Sequence, residues 1–228
     1  MRKLSFEEFI QKCSEQNVIV NLDETFVKMR PTLKKAIKYI NDNNRIIIKK
    51  DRQVGCSTMI VLYMIYNFLY IEKDTVFGLA YPTMSGSREL RRWFDYHLEI
   101  IIREFNYDGE IKKEKDNRRF LDFIINGYKK TIHSLCASGF YCGTRGISFD
   151  CLVLEDVDVW SDQTVANIID MYSASRYNKI IITGEVPTIY DECYRGAKIS
   201  KLMGEYLKSD KFKKIYLFSR PFGVGEID

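Results

Sequence analysis

The sequence predicts an α/β protein built on a mainly parallel β-sheet with helices on both faces. Short runs of consecutive apolar residues, typical of buried strands, alternate with longer segments in which apolar residues recur at helical spacing. The 228 residues are 46% hydrophobic and 14% aromatic, which provides a sizeable core and excludes a disordered chain. No apolar run reaches the roughly 20 residues that a membrane-spanning helix needs, so we expect a soluble protein that does not enter a membrane.

The predicted elements divide the chain into two parts. Residues 1–44 are expected to form a helical extension, with helices at 5–16 and 23–42, where apolar residues recur every three or four positions. Residues 45–228 are expected to form one domain in which strands and helices alternate.

Seven strands and four helices are predicted in this domain. The strands are rich in β-branched and aromatic residues, and the pair Asn126-Gly127 between two of them predicts a β-hairpin insertion. Strands are expected at 45–50, 75–81, 120–125, 128–136, 151–154, 179–183 and 214–218, and helices at 58–71, 85–105, 164–175 and 194–208.

Three strand ends carry polar residues, and the carboxyl ends of parallel strands are where such sheets bind ligands. The first lies in the segment 46–58, IIIKKDRQVGCST, which runs from a strand through a tight loop into a helix. Backbone N–H groups and the helix N-terminus can hold a phosphate there, while a hydroxyl reaches Mg²⁺. A purely structural strand-to-helix turn is the alternative. The candidate nucleotide-binding residues are Lys50, Arg52, Gln53, Val54, Gly55, Cys56, Ser57 and Thr58.

This segment meets the phosphate-loop pattern G-x-x-x-x-G-K-[ST] only in part. Cys56 stands where the pattern has a lysine, so Lys50 and Arg52 are the nearby cations that can neutralise the phosphates of a bound nucleotide.

The second and third strand ends carry carboxylates. The strand CLVL is followed by Glu155 and Asp156. Nucleotide hydrolases use one such carboxylate at Mg²⁺ and another to orient the attacking water, and neighbouring strand residues point to opposite sides, so the pair can divide these roles. The strand KIII leads into Thr183, Gly184 and Glu185, which are placed to sense the γ-phosphate. A charged strand terminus and an ordinary turn are the respective alternatives.

The order and spacing of the three ends favour one nucleotide site. About 100 residues separate the loop from the acids, and about 28 separate the acids from Thr183. This spacing suits a P-loop ATPase of the additional-strand type, in which the acidic strand does not follow the phosphate-loop strand directly in sequence.

The chain resembles the ATPase domain of phage terminase large subunits, the motors that package viral DNA. DRQVGCST is similar to their deviant Walker A motif, and TRGISFDCLVLED is similar to the lead into their Walker B strand. KIIITGEVPT resembles their coupling motif, and MRPTLKKAI resembles, more weakly, the segment that reaches the adenine. The resemblance covers roughly residues 28–195.

The resemblance implies roles for single residues. Lys50 stands at the offset where some members place the phosphate lysine, with Arg52 assisting. Glu155 and Asp156 stand where the family usually has aspartate and then glutamate. The implied cofactors are ATP and Mg²⁺. Ser57 and Glu155 are the expected Mg²⁺ ligands, Asp156 positions the water, Arg145 is a candidate charge-stabilising finger, and Thr183, Gly184 and Glu185 couple the phosphate state to movement.

The resemblance also implies partners. These are double-stranded DNA, a portal protein, a small terminase subunit and further copies of the chain in a ring, with the nuclease that family members usually carry on a separate chain. The expected location is the host cell cytoplasm. Two alternatives remain, namely another P-loop nucleic-acid motor such as a helicase, and a nucleotide- or DNA-binding module without hydrolysis.

Two basic segments stand out in a chain whose net charge is only +4. They are 112–119 and 198–214, and both are candidates for contact with phosphate backbones. An ordinary solvated surface is the alternative. The DNA-binding candidates are Lys198, Lys201, Lys208 and Lys211.

Overall fold

The computed structural model describes residues 4–16, 18, 31–50, 55–136, 147–160, 164, 179–185, 213–217 and 224–225. They contain one nine-stranded sheet and four α-helices. The helices are α1 (Phe6–Glu15), α2 (Pro31–Asp42), α3 (Cys56–Tyr70) and α4 (Met84–Glu104). The strands are β1 (Arg45–Lys50), β2 (Thr75–Tyr81), β3 (Ile111–Asp116), β4 (Phe120–Ile125), β5 (Tyr128–Cys136), β6 (Cys151–Leu154), β7 (Lys179–Glu185), β8 (Lys213–Leu217) and β9 (Val224–Gly225).

The centre of the sheet is parallel, as the sequence predicts. The strand order is β3-β4-β5-β2-β6-β7-β1-β8-β9, and the six strands from β5 to β8 run in one direction. Strand β7 lies between β1 and β6 and pairs with both. The additional-strand arrangement is therefore confirmed, and the ends of β1, β7 and β6 meet at one edge of the sheet.

Antiparallel strands complete the sheet at both sides. The predicted hairpin of β4 and β5 is present with its bounds unchanged, but β5 also pairs in parallel with β2 and so belongs to the main sheet. Strands β3 and β9 were not predicted. The sequence of β3, IKKEKD, has one apolar residue, because this outermost strand is exposed along most of its length and is held by its pairing with β4.

Side chains of each strand alternate between two cores. Ile46 and Ile48 of β1 contact the core that also contains α1, α2, α3 and α4, whereas Ile47 contacts a second core on the opposite face. All four described helices therefore share one face of the sheet. Helix α3 is apolar on nearly all sides because it is packed between the sheet and the other helices.

Helix ends follow local chemistry. Ser5 and Glu8 form a reciprocal capping box at the start of α1, and the Thr83 side chain accepts a hydrogen bond from the Gly86 N–H at the start of α4. The predicted helices at 164–175 and 194–208, and residues 23–30 of the predicted second helix, fall outside the described residues except for Thr164. In the described part of the chain, no helix is long and apolar enough to cross a membrane.

Candidate functional site

Lys50, at the end of β1, lies between two carboxylates at the carboxyl edge of the sheet. Its Nζ is 3.2 Å from Glu155 Oε2 and 3.0 Å from Asp156 Oδ1. The Lys50 side chain is 12% exposed and that of Glu155 is 0% exposed. The loop and the acids, which are separated by about 100 residues in the sequence, thus meet through direct contacts.

Gly55 and Ser57 bring the start of α3 to the same place. Gly55 precedes the helix with φ 86°, a left-handed conformation that side-chain-bearing residues rarely adopt. Ser57, in the first helical turn, donates a hydrogen bond from Oγ to Glu155 Oε1 at 3.3 Å. Because Gly55 sets where the helix begins, it also sets where this hydroxyl lies.

Glu155 is held by three donors despite its complete burial. In addition to Lys50 and Ser57, the Thr183 hydroxyl donates a hydrogen bond to Glu155 Oε2. The backbone N–H of Glu155 donates to the carbonyl of Ala80 in β2 at 2.9 Å. A buried carboxylate requires such compensation for its lost hydration, and here the donors come from three different elements.

Asp156 differs from Glu155 in backbone and exposure. It follows the strand with φ 53°, and its side chain is 32% exposed. Its N–H donates to Thr183 Oγ1 at 3.2 Å, so this hydroxyl accepts from one acidic residue while donating to the other. The prediction that strand alternation separates the two carboxylates was incomplete, because β6 ends at Leu154 and the left-handed turn brings both to Lys50.

The charges of this cluster are mutually dependent. Burial lowers the pKa of the Lys50 ammonium, but the negative charge of Glu155, with a contribution from Asp156, outweighs burial and raises that pKa above its ordinary value. Burial raises the pKa of the Cys56 thiol, so Cys56 stands at the predicted lysine position as a neutral group. Lys50 is therefore the ammonium group that the described residues provide at the two carboxylates.

Tyr81 belongs to the site and was missed by the sequence reasoning. Its hydroxyl is hydrogen-bonded to the Ser57 side chain, and its pKa is raised by burial and further by the charges of Glu155 and Asp156. A Cβ at Gly86 would lie 2.5 Å from the Tyr81 ring, so a larger residue there would displace the ring. The available signal was its position at the end of β2, another strand that ends at this edge.

The remaining predicted residues fall into two groups. Thr58 lies in the first turn of α3, and Gly184 and Glu185 complete β7, where a Cβ on Gly184 would be 3.4 Å from Asp158 Oδ1. The others lie outside the described residues, and their predicted roles stay predictions: Arg52, Gln53, Val54, Arg145, Lys198, Lys201, Lys208 and Lys211.

The donor set suits a phosphate group and a hard divalent cation. The Ser57 hydroxyl and the Glu155 carboxylate offer adjacent oxygen ligands of the kind that Mg²⁺ prefers. The start of α3 directs its free backbone N–H groups toward the same edge, which favours an anion there.

Solved structures with this fold come from bacteriophages. The large terminase from a thermophilic bacteriophage is 13% identical, with a TM-score of 0.57 over 83% of this chain and 46% of that one. A mutant large terminase ATPase domain from Thermus phage P74-26 is 10% identical, with a TM-score of 0.57 over 79% of each chain. The UvsW helicase from bacteriophage T4 is 10% identical, with a TM-score of 0.54 over 96% of this chain and 69% of that one. No protein-family model and no curated protein sequence matches the chain.

Fold and site together define the class: the chain has the P-loop NTPase fold, with a mostly parallel sheet flanked by helices. Within this class, its structure resembles the ATPase domains of phage large terminases, which confirms the resemblance drawn from the motifs. The chain spans about half the length (46%) of the thermophilic phage terminase.

Proposed function

We propose that the chain is the ATPase motor domain of a viral terminase large subunit, which couples ATP hydrolysis to movement of double-stranded DNA into a procapsid. The observation that carries this proposal is the convergence of Lys50, Ser57, Glu155, Asp156 and Thr183 at one sheet edge. A related thermophilic phage terminase has been solved in complex with ADP, which supports nucleotide binding at the corresponding edge here.

In the proposed site, Ser57 and Glu155 hold Mg²⁺, and Lys50 neutralises the phosphates together with Arg52. Bound Mg²⁺ would supply positive charge to the phosphate oxygens during transfer. Lys50 has to leave at least one of its carboxylates to reach a phosphate, and Asp156, once released, accepts a proton from the attacking water and orients it. Arg145 is the proposed charge-stabilising finger.

Thr183 is the proposed link between hydrolysis and movement. Its hydroxyl contacts both acidic residues, so a change in either carboxylate alters its hydrogen bonds. The change would pass along β7 through Gly184 and Glu185 to the chain beyond the strand.

The proposed assembly follows the same resemblance. The active form is a ring of copies on a portal protein, with a small terminase subunit and a nuclease on a separate chain as partners. Lys198, Lys201, Lys208 and Lys211 are proposed to contact the DNA backbone, and the work is done in the host cytoplasm.

Phosphate release measured with and without duplex DNA tests the proposal. The unaltered chain should hydrolyse ATP in the presence of Mg²⁺, and DNA should change the rate. Asp156→Ala should remove hydrolysis while ATP binding remains, because the group that positions water is lost and the phosphate contacts are not. Tight ATP binding without turnover by the unaltered chain would instead identify a non-hydrolysing module, and full turnover by Asp156→Ala would refute the site.

A second candidate, another P-loop nucleic-acid motor, is favoured by the similarity to the UvsW helicase over 96% of this chain. A strand-displacement assay separates the two candidates. A helicase releases a labelled strand from a partial duplex in an ATP-dependent manner, whereas a packaging motor moves on the intact duplex.

A further inference from the structure

The turn between β3 and β4 forms a second feature at the carboxyl edge. A cavity of about 450 Å³ lies there, lined by Met84, Asn117, Arg118, Arg119 and Phe120. Phe120 pairs with His133 near the end of β5, which places the turn at the same edge as Lys50. Three strand spacings separate β4 from β6, so the cavity lies about 14 Å along the edge from the acidic residues.

The backbone of this turn is held by several hydrogen bonds. Asn117 Oδ1 accepts from the N–H groups of Arg119 and Phe120 at 2.9 and 3.0 Å. The Asn117 carbonyl accepts from Arg91 Nη1 at 2.6 Å, and the Arg119 carbonyl accepts from the Ser134 N–H at 2.8 Å. A ligand that binds the side chains of this turn therefore meets a preformed backbone, which lowers the entropy cost of binding.

The acidic residues close to the turn are already paired. Asp116 lies 3.4 Å from Arg91 Nη2 and 3.0 Å from Lys113 Nζ, and Asp95 lies 2.7 Å from the same Lys113 Nζ. Glu114, further along β3, pairs with Lys112. These carboxylates are thus neutralised by cations other than the arginines of the turn.

The arginines of the turn remain without counter-charges. Arg118 and Arg119 are exposed and, within the described part of the chain, form no ion pair; Lys115 contacts the Phe120 ring at 4.8 Å and likewise has no carboxylate partner there. On α4, Arg88 lies one turn from Met84, on the flank that faces the cavity. Its Nε is buried and has no hydrogen-bond partner among the described residues.

We propose that this arginine surface, consisting of Arg88, Lys115, Arg118 and Arg119, binds the backbone phosphates of a nucleic-acid duplex. Guanidinium groups match phosphate oxygens through paired N–H donors, and a buried unpaired Nε gains the partner that it lacks. The contacts are to phosphates alone, so binding is insensitive to base sequence and sensitive to salt. The proposal rests on the proposed function only in the choice of duplex DNA as the partner.

The test compares two double variants of the full chain that lose the same charge. Arg118→Gln with Arg119→Gln alters the surface, whereas Lys38→Gln with Arg103→Gln removes two cations that are exposed and paired elsewhere, with Glu7 and Glu104. Binding of a short fluorescein-labelled duplex of random sequence is followed by anisotropy at several salt concentrations. The arginine variant should bind about tenfold more weakly, and its salt dependence should fall by about two phosphate contacts, while the control variant matches the unaltered chain.

A footprint on the unaltered chain gives a second measurement that does not depend on the folding of a variant. Duplex DNA should protect Lys115 from acetylation and leave Lys38 reactive. Unchanged affinity and salt dependence of the arginine variant, or a Lys115 that reacts equally with and without DNA, would overturn the proposal. Basal ATP hydrolysis distinguishes it from the proposed function, because the arginine variant should retain that rate and a chain without hydrolysis could still show the DNA result.

Discussion

Buried lysines occupy both edges of the sheet, and they have different partners. At the carboxyl edge, Lys50 contacts the carboxylates of Glu155 and Asp156. At the amino edge, Lys179 donates to the carbonyls of Ile40, Asn41 and Asn43 at the end of α2. Lys130, near the same edge, donates to the carbonyls of Asn67, Ile71 and Lys73 and to Thr75 Oγ1 at the end of α3.

The partners set the pKa in opposite directions. Burial lowers the pKa of Lys179 and lowers that of Lys130 to about 8, because carbonyl dipoles compensate only part of the lost hydration. At Lys50, full negative charges outweigh burial and raise the pKa. The lysines of the amino edge therefore act as caps on helix ends, while Lys50 belongs to a charged cluster in which a metal ion and phosphates can replace its present partners.

The largest expected effect separates the functions of the two edges. Lys50→Ala should lower ATP hydrolysis at least about a hundredfold, because the principal cation at the phosphates is lost. Lys179→Ala should preserve the rate of the folded protein but lower the free energy of unfolding by about 2–4 kcal/mol, since buried carbonyls of α2 lose their donor. Phosphate release and urea unfolding measure the two quantities. Hydrolysis that is lost in Lys179→Ala and kept in Lys50→Ala would reverse the assignment.

A neutral group at the carboxyl edge should have a smaller effect. Tyr81→Phe removes the hydroxyl bonded to the Ser57 side chain, and losing one hydrogen bond of about 1 kcal/mol should slow hydrolysis about fivefold. Tyr70→Phe is the matched control, because the Tyr70 hydroxyl is buried on the same face and has no hydrogen-bond partner among the described residues. Equal rates in the two variants would remove Tyr81 from the site.

The smallest effect concerns pH and the amino edge. Between pH 8 and the ordinary lysine pKa of 10.5, the unfolded chain binds a proton at Lys130 that the folded chain lacks. The free energy of unfolding should therefore rise with pH in this window, by up to about 1.4 kcal/mol per pH unit from this group. Lys130→Met should flatten the rise, measured by urea unfolding, whereas Lys129→Met, on the exposed neighbour, should not. Parallel pH profiles for the two variants would contradict the shift.

Much of the candidate site could be predicted because its residues follow strands that are visible in the sequence. The apolar runs before Lys50 and Glu155 and the run that leads to Thr183 are local signals, and parallel pairing places their ends together. Tyr81 was missed because a tyrosine after an apolar strand is usual and indicates chemistry only once Ser57 lies beside it. Strand β3 was missed because its alternation is absent on an exposed edge.

The sequence by itself determined the α/β class, most strand bounds, the turn at Asn126-Gly127 and the order of the three polar strand ends. These features depend on neighbours along the chain, where apolar period and turn chemistry act directly. Only the tertiary structure decided that Lys50 faces two carboxylates, that Asp156 turns back to reach it, and that Arg118 and Arg119 lack counter-charges. Each of these depends on contacts between segments far apart in sequence, whose distances are fixed by sheet register rather than by any local pattern.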